Sequence, residues 1–190
     1  MKTTGAWLVA MATVLTACSH GATPASHELF DERSAGTFLV VGSPLVFART
    51  RSDVAAHARD YSTLVAMEVD NSGDYQEYLF LYRWSTVDPR MLPPPDASAD
   101  ALKIIADGRV IDLKADPEPP LKVGSRPEFL VPNHGNVVTR AYRVDAATLR
   151  FIATSREITV RLPAETLDTP FTLWEDGRGA LLQFLKRAGP

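Results

Sequence analysis

The chain of 190 residues carries a formal charge of −3, is 45% hydrophobic and contains one cysteine. This length and composition fit a single globular domain with a core of its own. The mildly acidic balance excludes long-range attraction to nucleic acid or to an anionic membrane face. One cysteine also excludes an intrachain disulfide bond.

The first residues have the pattern of a secretion leader. Lys2 supplies a positive charge, and the apolar run from Ala6 to Leu15 follows it. That run is too short to cross a bilayer, which needs about 20 apolar residues. A short apolar run behind a positive residue and before small residues is typical of a signal peptide.

The end of this leader carries the most specific motif of the chain. Leu15, Thr16, Ala17 and Cys18 resemble the bacterial lipoprotein signal, in which an aliphatic residue and two small residues precede a cysteine. The resemblance implies cleavage between Ala17 and Cys18 and acyl chains on Cys18. Several chains on one residue hold a protein on a membrane far better than one. In proteins with this signal, an aspartate after the cysteine favours the inner membrane, so the resemblance implies, through Ser19, the outer membrane with the domain facing the periplasm. The alternative interpretation of Cys18 is an ordinary buried cysteine in an apolar helix.

The leader divides the chain into three parts. Residues 1–17 are expected to be the signal peptide, and residues 18–36 the lipidated cysteine with a flexible polar tether. Residues 37–190 are expected to form one β-rich domain. The implied partners are the membrane, through Cys18, and an envelope protein; no cofactor is expected.

The first half of the domain is predicted to be strands. Thr37 to Arg49 is rich in β-branched and aromatic residues, and a glycine and a proline interrupt it, so it is one bulged strand or two short ones. Tyr61 to Asp70 and Tyr75 to Trp84 alternate around a turn cluster. They predict an antiparallel hairpin with a loop slightly longer than the two-residue minimum.

The second strand of that hairpin is the most distinctive one. Tyr78, Phe80, Tyr82 and Trp84 fall on one face by the period of two, and leucines fall on the other. Apolar residues on both faces indicate a central, covered strand. The four rings form either part of the core, which we favour, or a platform for a sugar, a peptidoglycan fragment or an acyl chain.

The second half adds further strands and two helices. Asp107 and Gly108 predict a tight hairpin turn between apolar runs, and Asp145 is a good N-cap for a helix. Strands are predicted at Val137 to Val144, Arg156 to Leu162 and Phe171 to Trp174, and a final helix at Arg178 to Ala188. The fold class is therefore mainly β with two short helices. We expect an antiparallel β-sandwich or a strongly curved sheet, with the helices on one face or end.

Motifs for catalysis are absent from the sequence. There is no Gly-x-Ser-x-Gly, no His-Glu-x-x-His and no phosphate-binding loop. His134, in a turn-rich loop, is the best-placed histidine for a general base, but no partner for it is evident. We therefore expect no catalytic residue and no metal site.

Three functions remain open, and the least favoured of them is a hydrolase in which His134 acts as the general base. The first is a non-enzymatic, membrane-anchored envelope lipoprotein that binds a protein partner or an envelope assembly. Its contacts would be a sheet edge or the loops at Pro93 to Pro95 and Asn133 to Asn136. The alternative is a periplasmic carrier of a lipid or other apolar ligand. The aromatic residues from Tyr78 to Trp84, together with Met67, would then line a cavity in a curved sheet.

Overall fold

A computed structural model describes residues 26–31, 36–88, 101–118, 138–162 and 169–188. Ala17, Cys18 and the rest of the leader lie outside these ranges, as do His134, Pro93 to Pro95 and Asn133 to Asn136. The strands of the described ranges are β1 (Ser26–Asp31), β2 (Gly36–Val41), β3 (Leu45–Thr50), β4 (Arg59–Asn71), β5 (Asp74–Ser85), β6 (Ala101–Ala106), β7 (Arg109–Lys114), β8 (Val138–Arg143), β9 (Ile158–Arg161) and β10 (Phe171–Glu175). The helices are α1 (Ala146–Thr154) and α2 (Arg178–Phe184).

The long strand β4 is the centre of the sheet. One of its edges pairs with β5 along its whole length, and the other pairs with β3 and then with β2. The sequence from Thr37 to Arg49 is therefore two strands laid end to end. At the break, a Cβ on Gly177 would lie 2.3 Å from the carbonyl oxygen of Pro44, so only glycine fits there and the start of α2 packs on this bend.

The remaining strands extend the sheet in two directions. β1 pairs with β2, whereas β10, β9, β6 and β7 follow β3 in that order, and β8 follows β5. Every described pairing is antiparallel. Past β7, the Asp116 amide donates to the Ala141 carbonyl in β8 at 2.8 Å, so the sheet curves back without closing. The prediction of a mainly antiparallel β fold with two helices is confirmed.

The sheet starts earlier than the sequence indicated. Ser26–Asp31 was expected to be tether, but it pairs over six residues with β2, from Ser26 opposite Val41 to Asp31 opposite Gly36. The segment looks polar because it is an edge strand, which needs only part of its side chains buried. The chain between Cys18 and the sheet is therefore shorter than expected.

Both predicted hairpins are present, and both have two-residue turns. Ser72 and Gly73 have φ of 58° and 94°, and Asp107 and Gly108 have 45° and 80°. Positive φ at both positions is the turn that matches the twist of antiparallel strands. The expectation of a longer β4–β5 loop was wrong. The Asp70 carboxylate accepts the Gly73 amide at 2.6 Å and so stabilises the tighter turn.

The helices agree with their sequence signals. The Asp145 carboxylate accepts the Thr148 amide at 2.6 Å, which confirms it as the N-cap of α1. Leu149 of α1 and Phe184 of α2 are fully buried in the main core, and α2 ends before the predicted Ala188. Among the described residues, no helix has the length and hydropathy needed to cross a membrane.

Candidate functional site

The aromatic side chains of β5 divide into two groups. Tyr78, Phe80 and Tyr82 are each at most 3% exposed and belong to the main core. Their rings follow one another at centroid distances of 6.2 and 6.5 Å. We call these three residues the buried stripe. Trp84, at the end of the strand, is half-buried and joins a separate cluster.

That cluster is a small satellite of the core in which Tyr61 is 9% exposed, and it reaches the surface through its neighbours. The Trp84 ring stacks on Tyr61 of β4, with centroids 3.9 Å apart and planes 7° apart. Trp174 of β10 meets Tyr61 edge-on at 6.3 Å and is 53% exposed. The Arg59 guanidinium lies 4.8 Å from the centre of the Trp174 ring, within cation–π distance. Tyr61, Trp84, Trp174 and Arg59 are the aromatic patch.

Backbone register assembles the aromatic patch. The two-residue turn sets Asn71 opposite Asp74, and the unbroken ladder then brings Tyr61 opposite Trp84. Trp174 comes from a strand two places away, where the β10–β3 register shifts between Leu173 and Glu175. Such a bulge changes the direction of a side chain, and bulges are frequent beside functional sites.

Hydrogen bonds fix the strand ends that carry the patch. The Arg59 amide donates to the Thr86 hydroxyl at 2.9 Å, and the Thr86 amide donates to the Arg59 carbonyl at 2.9 Å. The Trp84 indole N–H is 3.4 Å from the hydroxyl of Thr63. These bonds hold the strand ends that carry Arg59 and Trp84 together, and they limit the motion of the Trp84 ring.

The opposite face of the same strand ends carries a buried ion-pair network. Asp60 accepts from Arg49 at 2.9 and 3.2 Å, from Arg51 at 3.1 Å and from the Ser85 hydroxyl at 2.8 Å. Arg51 also pairs with Asp53 through both carboxylate oxygens. Because Asp60 adjoins Tyr61 and Ser85 adjoins Trp84, this network braces the patch from behind.

The network shifts the acidity of its members. Burial raises the pKa of Asp60, but the hydrogen bonds from Arg49, Ser85 and Arg51 outweigh burial, and the pKa ends below its usual value. Burial, and next the nearby charge of Arg49, lower the pKa of Arg83 on the same face. The hydrogen bond to Asp53, partly opposed by burial, raises the pKa of Arg51. Asp60 is thus ionised near neutral pH, as the network requires.

The side chains of the patch differ in chemistry from the apolar core beside it. It offers flat apolar rings and one guanidinium, which stack on other rings, bury apolar groups and attract carboxylates. Within the part of the chain that the structure describes, no group of three or more His, Cys, Asp or Glu residues is placed to hold a metal ion.

Sequence reasoning identified only part of this patch. It placed Trp84 with the buried stripe and treated Tyr61 and Trp174 as ordinary strand residues. Pairing the two predicted strands outward from their turn, with Asp70 opposite Tyr75, would have placed Tyr61 opposite Trp84. The position of Trp174 beside Tyr61 depends on the order of the strands in the sheet and on a bulge, and neither can be recognised from a short stretch of sequence.

Comparisons with known proteins do not indicate a role for the aromatic patch. No family model, curated protein or solved structure matches the chain.

Proposed function

We propose that the protein is a lipid-anchored, non-enzymatic component of the cell envelope that binds a protein partner through the aromatic patch. The observation that carries this proposal is the exposed Trp174 ring, which is held against the largely buried Tyr61–Trp84 stack and under the Arg59 guanidinium. The anchor part rests on the lipoprotein-like signal ending at Cys18.

The composition of the patch favours a protein as the ligand. Tryptophan, tyrosine and arginine are the residues most enriched among those that dominate the energy of protein–protein interfaces. Such residues cluster around a well-packed centre. Here the Tyr61–Trp84 stack forms the centre, and Trp174 projects beside it.

The carrier alternative receives less support. A carrier would use Tyr78, Phe80 and Tyr82 as the wall of a cavity. These rings lie among the core residues, and each is at most 3% exposed. We therefore rank partner binding above apolar-ligand transport.

Cross-linking in living cells tests the proposal. The full chain, tagged after Pro190, is cross-linked, purified and analysed by mass spectrometry. We expect one envelope protein in near-equal amount. Trp174→Ala should reduce its recovery about tenfold or more, since truncating such a residue costs about 2 kcal/mol of binding.

A matched variant controls for nonspecific effects. Val110 in β7 is 51% exposed, close to the 53% of Trp174, and lies in another part of the sheet. Val110→Ala should leave recovery unchanged. Equal recovery from both variants would contradict the role of the patch, and capture of apolar small molecules without a protein would favour the carrier alternative.

The anchor has its own test. Cys18→Ser should move the protein from the membrane fraction to the soluble fraction and abolish incorporation of labelled fatty acid. Retention in the membrane with no incorporated fatty acid would contradict lipidation at Cys18.

A further inference from the structure

A second group of exposed apolar residues lies at the other end of the sheet. Phe30 and Leu29 in β1 are 65% and 39% exposed, and Tyr75 in β5 is 43% exposed. The register brings them to one end: Phe30 lies opposite Thr37, Thr37 opposite Asp70, and Asp70 opposite Tyr75. We call Leu29, Phe30 and Tyr75 the apolar rim.

The rim is close to the proposed anchor along the chain. Ser26, the first residue of β1, follows Cys18 by eight residues. A fully extended segment of that length spans at most about 28 Å. Phe30 lies four residues beyond Ser26 in the strand, about 14 Å away. The tether is therefore long enough to let the rim touch a bilayer and too short to let β1 move far from it.

We infer that the apolar rim rests against the lipid surface to which the chain is anchored, an inference that depends on the proposed lipidation of Cys18. Phenylalanine, leucine and tyrosine are suited to the boundary between headgroups and acyl chains. A second contact of this kind adds to the acyl anchor and fixes the orientation of the domain.

The charged residues beside the apolar rim indicate which kind of lipid surface the rim can contact. Glu28 and Asp74 are exposed beside the rim. Their carboxylates are repelled by anionic headgroups, so the contact suits a largely zwitterionic bilayer. At low ionic strength, anionic lipid should weaken the contact, because screening is then least effective.

Single-cysteine probes test the inference on the full, lipidated chain. The acylated Cys18 presents no thiol and is the only native cysteine, so Phe30→Cys can be labelled alone with an environment-sensitive fluorophore. Val110→Cys, on the strand at the far end of the sheet path, is the matched exposed control. Each protein is reconstituted into phosphatidylcholine vesicles that contain a spin-labelled lipid as a quencher.

We expect the spin-labelled lipid to quench the probe at position 30 at least threefold more than the probe at position 110, and detergent to remove the difference. Tyr75→Cys, which the register places on the same face of the sheet as Phe30, should behave like Phe30→Cys. Equal quenching at both positions, in protein that floats with the vesicles, would overturn the inference. So would stronger quenching of a probe at Trp174→Cys, because the aromatic patch would then face the lipid.

Two other outcomes have separate meanings. If the emission of the probe at position 30 stays blue-shifted in detergent and the protein is a dimer there, β1 mediates self-association, and the lipid contact is overturned. If the mature chain does not float with the vesicles and its Cys18 thiol reacts with the fluorophore, Cys18 is not lipidated. That result would contradict both the proposed anchor and this inference.

Discussion

The two ends of the aromatic face of β5 differ in how deeply their side chains are buried. Tyr78, Phe80 and Tyr82 are sealed in the core, whereas Trp84, in the same alternation, reaches the surface and stacks on Tyr61. The two ends differ in the residues that pack around them. The buried stripe lies within the main apolar cluster, but the Trp84 end has an ion-pair network on its other face. Alternation assigns a side chain to a face, and only the packing around that face decides whether it is core.

The largest expected effect lies at the buried end. Phe80→Ala should lower the free energy of unfolding by about 4 kcal/mol, since it leaves a cavity in a packed core. Trp84→Ala should cost less than half as much, because its ring is partly exposed. Urea unfolding of both variants measures the difference. A cost below about 1 kcal/mol for Phe80→Ala, with altered binding of an apolar dye, would point to a ligand cavity.

The ion-pair network should show the next largest effect. Asp60→Asn should lower stability at pH 7 by about 3 kcal/mol, because it leaves the Arg49 and Arg51 guanidiniums without their shared carboxylate. Asp53→Asn, at the exposed end of the network, should cost much less. Similar costs for the two variants in thermal unfolding would show that the network does not brace the patch.

The stability that Asp60 provides should depend on pH in a defined direction. Its folded-state pKa lies below its unfolded value, so its contribution is present above about pH 4 and is lost as the pH falls through the folded pKa. Unfolding measured as a function of pH should show wild type and Asp60→Asn converging in acid. A constant gap from pH 7 to pH 2 would contradict this assignment.

The stack at the surface end should show a smaller effect. A double-mutant cycle with Tyr61→Ala and Trp84→Ala should give a coupling energy of about 1 kcal/mol, the value for a well-placed ring pair. Urea unfolding of the two single variants and the double variant supplies the cycle. Additive losses would mean that the rings are neighbours without mutual stabilisation.

The smallest expected effect concerns Ser62, behind the patch. Its hydroxyl is fully buried and has no hydrogen-bond partner among the described residues. Ser62→Ala removes that unsatisfied group and should leave stability unchanged or raise it by up to about 1 kcal/mol. Urea unfolding measures this, and a clear loss would reveal a partner for the hydroxyl.

Local rules predicted much of the fold. Alternation located β4 and β5, Asp107 and Gly108 located the turn between β6 and β7, and Asp145 marked the start of α1. Each depends on contacts within a few residues. β1 was missed because an edge strand needs little hydrophobic content, and its pairing with β2 supplies what its sequence does not show.

The candidate site was harder to predict than the fold. Trp84 was identified, but as part of a stripe that proves to be mostly core. Tyr61 joins it through a register that depends on one turn, and Trp174 joins through a bulge on a strand two places away. Contacts made across a sheet by residues far apart in the chain are set by topology, which a local pattern does not contain.

The length of β4 has a consequence for where a partner can bind. The apolar rim lies level with Asp70 and the aromatic patch with Tyr61, so nine residues of one strand separate them. At about 3.4 Å per residue this is a rigid separation of about 30 Å. With the rim on the bilayer, β4 holds the patch well clear of the headgroups. A partner rooted in the same membrane would then need a domain or stalk of comparable height to meet it.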